Sequence, residues 1–203
     1  MNKYYYEGKT KEQAIELALD ELKLTEEDLI INSIEEKSSL LKKNVKIEVL
    51  NINEIISFIK EAISEITKKM NVESNLEVRR RENAISITIF SDNNSILIGK
   101  NGKNVAALQL LIRQMVNSKL SSPLSIIIDV GNYKEKRVKS IEHLAKKLAR
   151  EAYKTKTEVT MDSMNSYERR IVHSVLADDK YVYTESIGEE PNRKVVIKLK
   201  EEK

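Results

Sequence analysis

The chain has 203 residues, 40% hydrophobic and 33% charged, a balance that fits folded modules and argues against a disordered chain. It has no cysteine and only two histidines, His143 and His173, which excludes disulfide scaffolds, thiolate zinc sites and thiol nucleophiles and leaves too few ligands for a typical metal centre. The net charge of +3 is uneven: residues 1–53 carry 8 Lys+Arg and 11 Asp+Glu, residues 54–132 carry 10 and 8, and residues 133–203 carry 17 and 13, so the later two-thirds suit a polyanion better.

In chain order, residues 3–7 read as a short strand. Thr10 then opens a helical pattern with Ala14, Ile15, Ala18, Leu19 and Leu22 on one face, and Thr10 with Gln13 forms a capping box. Strand-like runs follow at Leu29–Glu35 and Val45–Leu50; in the second, Val45, Ile47 and Val49 alternate with Lys46 and Glu48. A helix capped by Asn53 comes next, with Ile55, Ile59, Ala62, Ile66 and Met70 as its apolar face. Two strands, Asn75–Arg81 and Ala84–Ser91, turn at Glu82-Asn83. A short helix near Asn93–Ile98 leads into Gly99-Lys100-Asn101-Gly102, and a further helix carries Val105, Leu108, Ile112 and Met115 and ends at Pro123. Leu124–Val130 alternates as a strand. Beyond Gly131-Asn132, residues 134–154 form a long helix with Val138, Ile141, Ala145, Leu148 and Ala152 inward and Lys136, Lys139, His143, Lys147, Arg150 and Lys154 outward. A helix at Ser166–Ala177 and strands at Tyr181–Ser186 and Lys194–Lys200 complete the chain. The expected class is α+β, in three small domains at 1–52, 53–131 and 132–203.

No apolar run approaches the roughly 18 residues of a membrane span, and the polar start "MNKYYYEGKTKEQ" does not read as a signal peptide, so a cytoplasmic protein is expected. Gly8-Lys9-Thr10 echoes the end of a phosphate-binding loop, but the full motif needs glycine where Lys3 stands, so a turn plus helix cap is the better account. No nucleophile–base pair and no metal constellation is present, so the chain is not expected to be an enzyme or to hold a cofactor.

Two of only five glycines sit at Gly99 and Gly102. In isolation such a pair is an ordinary turn. Here it lies between two helices, after helix-strand-strand and before a strand. That order, and the stretch "ILIGKNGKNVAALQLLI", resemble the type II KH domain over Glu54–Val130. Absent side chains at Gly99 and Gly102 let a sugar-phosphate backbone approach, and the following helix aims its N-terminal amides at phosphate. Lys100, Asn101 and Lys103 add donors, and Ile98, Val105 and Leu108 are the candidate floor for bases. The alternative is a GxxG retained for its turn in a fold reused for protein pairing.

In "MNSYERRIVH", Arg169 and His173 share one helix face. The surrounding sequence resembles the R-3-H domain, named for an Arg and a His with three residues between, which binds single-stranded nucleic acid. The resemblance implies that Arg169 holds phosphate and that His173 hydrogen-bonds or stacks, with Arg170, Asn192, Arg193 and Lys194 extending the basic surface. The alternative is that His173 packs on the sheet and Arg169 pairs with a carboxylate such as Asp178 or Asp179. Ser166 stands where the family pattern has proline, which predicts a softer helix start.

A small N-terminal unit, a KH domain and an R-3-H domain in this order resemble the bacterial Jag (SpoIIIJ-associated) family over nearly the whole chain; "GKTKEQAIELALDELKL" resembles the start of its N-terminal domain. The glycine-bearing turn usual in that domain is missing from "KSSLLKKNVKIEV". The long linker of many relatives is reduced to Asn51–Asn53, so the N-terminal unit is expected to pack on the KH domain. The resemblance implies binding of single-stranded RNA or single-stranded DNA. It also implies a regulatory role in cell elongation, cell shape and envelope synthesis, pairing with a small single-KH protein or with itself, and an indirect link to a membrane protein insertase. A scaffold in which protein pairing is primary and nucleic acid secondary is the competing reading.

Overall fold

The computed structural model describes residues 1–39, 42–81 and 84–200. It contains three three-stranded sheets, each with its own helices, and divides into two compact units, residues 1–131 and 132–203. The Glu82-Asn83 turn and part of the glycine-free stretch near residue 40 lie outside the described residues.

In the first unit, β1 (Lys3–Gly8), α1 (Lys11–Leu22), β2 (Leu29–Ser39) and β3 (Lys42–Asn51) form an antiparallel sheet in the order β1-β3-β2 with α1 on one face. Tyr6, Ala14, Ala18, Leu29, Ile47 and Val49 are its core. Thr10 caps α1 by accepting from Gln13 N, but Gln13 Oε1 accepts from Lys9 N (3.2 Å), so the reciprocal half of the expected box closes one residue earlier. Gly8 is accounted for by the turn: a Cβ there would lie 2.8 Å from Ala14 N, and the glycine-lysine-threonine sequence serves packing and capping.

The same unit continues with α2 (Ile52–Lys69), β4 (Ser74–Arg81), β5 (Ala84–Ser91), α3 (Asn94–Ile98), α4 (Lys103–Asn117) and β6 (Ser125–Val130). β5 pairs antiparallel with β4 and parallel with β6. This is the helix-strand-strand-helix-helix-strand order expected. Two boundaries differ. Asn51, not Asn53, caps α2, accepting from Asn53 N at 2.8 Å, because the strand runs straight into the helix. α4 ends at Asn117, six residues before Pro123; Asn117 then pairs with the Leu124 backbone through both its amide atoms, which turns the chain back into β6.

The short linker brings the N-terminal sheet onto the helix-strand module through polar contacts. Glu48, 2% exposed on β3, accepts from Lys3 Nζ (3.0 Å), Ser121 Oγ (2.9 Å), Tyr5 Oη (3.4 Å) and Asn32 Nδ2 (3.4 Å). Burial works against its charge, but the bonds from Ser121, Lys3 and Asn32 outweigh it and hold the carboxyl below its ordinary range. Asp28, beside α1's exit, accepts from Thr25, Arg80 and Asn53, which lowers its pKa to about 2.

The second unit holds α5 (Tyr133–Thr155), β7 (Val159–Thr160), α6 (Ser166–Leu176), β8 (Val182–Ile187) and β9 (Lys194–Leu199), with sheet order β7-β9-β8. β7 is too short to stand out as a pattern. Ile141, Ala145, Ala149 and Ala152 of α5 pack with Val172 and Leu176 of α6 and with Val182, Val195 and Ile197 of the sheet; Val138 and Leu148, expected in that stripe, are only partly buried. The outward residues Lys136, Lys139, His143, Lys147, Arg150 and Lys154 are exposed.

Candidate nucleic-acid interface

The last turn of α3 closes with Gly99 N donating to Ser95 O (2.9 Å), and the helix stops because the backbone then leaves the helical region, at φ 69° and ψ 180°. Only glycine adopts that conformation readily, and a Cβ would sit 2.5 Å from the Asn104 side chain. Asn101 (φ 54°) and Gly102 (φ 77°) continue left-handed, which asparagine tolerates better than other side chains. Gly102 N donates to Gly99 O (3.2 Å), and Asn104 Nδ2 reaches back to Ile96 O (2.8 Å), strapping α4 to the end of α3. Asn104 was not among the expected site residues; its signal is an asparagine in the first turn of a helix that follows glycine.

α4 therefore starts with no side-chain cap and with no acidic residue in its first turn. Helices ordinarily place an acceptor or a carboxylate there, because four amides and the positive dipole end are otherwise unmatched. Here Lys103 opens the helix and Lys100 precedes it, both exposed, and neither has a carboxylate partner among the described residues. The arrangement disfavours the helix in isolation and favours an anion placed against it. Ile98 is half-buried beside the bend. Val105 and Leu108 are 4% and 9% exposed, so they support the bend from the core side, and only their outermost atoms reach its surface.

In the second unit, α6 begins firmly. Asn165 Oδ1 accepts from Glu168 N (2.9 Å) and Glu168 Oε2 accepts from Asn165 N (3.2 Å), a capping box that offsets the missing proline before Tyr167. The softer start expected from Ser166 is thus not observed. Glu168, 6% exposed, also accepts from Arg137 Nε of α5 at 2.7 Å.

Arg169 is 8% exposed. Its Nη1 donates to Met164 O (2.9 Å) and to Glu190 Oε1 (2.8 Å). Its carboxylate partner is therefore on the β8–β9 loop; Asp179 instead accepts from the amides of Tyr181 and Val182. His173 lies between two hydroxyls, Nδ1 at 2.6 Å from Thr184 Oγ1 and Nε2 at 2.8 Å from Ser186 Oγ. Burial, and then the Arg169 charge, push its pKa below the ordinary value, so near neutral pH the ring is uncharged, donating to one hydroxyl and accepting from the other. The two motif residues share a helix face as expected, but that face points inward.

Arg170, Asn192 and Arg193 are exposed and Lys194 is half-buried at the start of β9. Asn192 N donates to Glu189 O (2.8 Å), and Met164 N donates to Arg193 O (3.1 Å), which puts the loop beside the entrance to α6. Arg169 ties that entrance and that loop together. Its role in holding Glu190 was not legible from spacing, because the partner is 21 residues away.

Family models match all three parts of the chain: the Jag N-terminus over residues 6–50, the KH domain of KhpA/KhpB over 54–128, and the R-3-H domain over 139–199. The chain is 35% identical to the RNA-binding protein KhpB of Clostridium symbiosum, covering 96% of this chain and 90% of that one. It is 30% identical to RNA-binding protein KhpB of Bacillus subtilis, covering 95% and 96%. To RNA-binding protein KhpB of Streptococcus pneumoniae it is 26% identical, over 97% of this chain and 58% of that one. No helix among the described residues is long and apolar enough to cross a membrane.

Proposed function

Since the chain belongs to the KhpB family, with Jag N-terminal, KH and R-3-H domains, we propose that it binds single-stranded RNA on two surfaces. The observation that carries this is the start of α4, where two glycines, a helix end without a side-chain cap and two exposed, unpaired lysines meet at one bend. A phosphate there takes hydrogen bonds from helix amides and charge from Lys100 and Lys103, with Asn101 beside them. Ile98 and the edges of Val105 and Leu108 are the apolar surface for a base. In the C-terminal unit, Arg170 on α6, Lys194 at the start of β9, and Asn192 and Arg193 on the loop that Arg169 holds in place make the polar contacts, while His173 fixes the helix to β8. Two tethered sites raise overall affinity through effective concentration without any new contact.

The test is the double variant Lys100→Asp/Asn101→Asp. It sets two negative charges against the phosphate without touching the core, and RNA affinity by fluorescence anisotropy falls about a hundredfold while the thermal melt is unchanged. Unchanged affinity rejects the bend as the clamp.

A second reading has one observation in its favour. Leu110 and Leu111 on α4 are 50% and 49% exposed, an apolar patch suited to pairing with a small single-KH protein or a second copy. Light scattering with and without nuclease separates the two: assembly that survives nuclease places protein pairing first. A cytoplasmic regulatory role in cell elongation and envelope synthesis is the setting the family resemblance suggests, and an insertase link belongs with it.

A further inference from the structure

α6 has two faces. Glu168, Arg169, Val172 and Leu176 are buried, at the three- and four-residue spacing of one helical stripe. Tyr167, Arg170 and Ser174 are exposed at the same spacing on the other side. The motif named from the sequence is on the first face, with its side chains hydrogen-bonded to protein partners. A ligand approaching this helix meets the second face.

Tyr167 is 65% exposed, the highest value among the exposed large hydrophobic side chains of the described residues. It is not part of the core cluster of the C-terminal unit, so core packing does not explain a ring at that position. Arg170 lies one turn on, and the residues four away from it on either side are Ser166 and Ser174, so the helix supplies no carboxylate to it. Among the described residues its guanidinium has no ion-pair partner. The backbone that carries the ring is fixed, because Tyr167 sits inside the Asn165–Glu168 capping box. It is also continuous with the basic loop: Met164, three residues earlier, is hydrogen-bonded to Arg193 O.

We propose that the outer face of α6 is the base-reading surface of the C-terminal unit, with Tyr167 stacking on one base of single-stranded RNA and Arg170 holding an adjoining phosphate. A planar, exposed ring on an anchored helix start beside an unpaired guanidinium matches the alternation of base and phosphate along a single strand. Buried Arg169 is then a positioning residue, shaping the neighbouring loop. The proposal rests on the RNA-binding reading given above.

The experiment uses the full chain and a fluorescein-labelled 12-nucleotide single-stranded RNA of mixed sequence, with anisotropy measured across a salt series. Tyr167→Ala weakens binding about tenfold at every salt concentration and leaves the salt slope unchanged, because stacking releases no counterions. Tyr167→Phe, which keeps the ring, binds as the parent chain does. Arg170→Ala weakens binding and lowers the slope by about one. Ultraviolet crosslinking of the parent chain to the same RNA bearing 4-thiouridine, read by peptide mass spectrometry, labels the peptide containing Tyr167 and needs no variant to fold. If Tyr167→Ala binds like the parent and no crosslink falls on that peptide, while Lys100→Asp/Asn101→Asp abolishes binding, the stacking surface is wrong and the RNA-binding reading stands. If Tyr167→Ala changes only the size of the nuclease-treated particle, the face takes a protein and the proposal is overturned. If the parent chain binds no single-stranded RNA, both fall together.

Discussion

At the bend before α4, Lys100 and Lys103 stand in solvent on a backbone fixed by Gly99, Asn101 and Gly102. On α6, Arg169 and His173 are folded inward and held by Glu190, Met164, Thr184 and Ser186. Both are short motifs of the same apparent kind, two residues at fixed spacing. They differ in what the spacing specifies. In the bend the motif residues carry the unusual backbone, which leaves neighbouring side chains free for a ligand. In the helix the motif residues are themselves consumed by the fold, and the exposed side chains lie one and two positions from Arg169, at Arg170 and Tyr167. A motif therefore marks a site, while burial decides which of its side chains can touch anything.

The strongest way to break this contrast is Arg169→Ala. If Arg169 is internal, its loss removes two charge-assisted hydrogen bonds and the tether of the 188–193 loop. The C-terminal unit then loses about 3 kcal/mol in urea unfolding, while Lys100→Ala leaves stability within about 0.5 kcal/mol. An Arg169→Ala protein as stable as the parent that loses RNA affinity would place Arg169 at the ligand instead. Next in size is Gly99→Ala, expected to cost about 2 kcal/mol in the first unit, since alanine must occupy a glycine conformation and its Cβ meets Asn104. Removing Asn104 relieves the clash but frees Ile96 O, so Gly99→Ala/Asn104→Ala is less destabilised than the sum of its parts. Strict additivity in that cycle would mean that the strap and the bend are independent.

How much of this was legible beforehand follows from the range of the interactions involved. Helix and strand order came from periodicity, because Ile85, Ile87 and Ile89, or Ala145 and Ala152, repeat at the period of their element and are buried for that reason. Gly99-Lys100-Asn101-Gly102 was legible because left-handed backbone demands particular residues locally. Helix ends were less so: Asn51 and Asn53 are equally good caps by type, and only the run of β3 straight into α2 selects the first. The inward turn of Arg169 and His173 was out of reach, since Glu190, Thr184 and Ser186 arrive from a distant hairpin. The Asn165–Glu168 box, by contrast, is an ordinary local signal, and reading it would have removed the expectation of a soft helix start. Glu48 looked like the polar half of an alternating strand; it is buried, with a donor, Ser121, arriving from 73 residues away.

The smallest effect concerns His173, and its sign sharpens the comparison. Burial and the Arg169 charge lower its folded pKa, so the unfolded chain binds a proton more readily than the folded one. Stability contributed by the neutral ring is present above the unfolded value of about 6.5 and is lost as pH falls from there through the lowered folded pKa. Urea midpoints of the C-terminal unit should therefore decline as pH falls below about 6.5, and His173→Gln, which can still bond a hydroxyl, should flatten that decline. A ligand-facing histidine would behave oppositely: nearby phosphate raises its pKa, and RNA affinity, rather than stability, would carry the pH dependence. A flat urea midpoint together with affinity that rises through the same window, and is lost in His173→Gln, would move His173 from the inside of the helix to its working face.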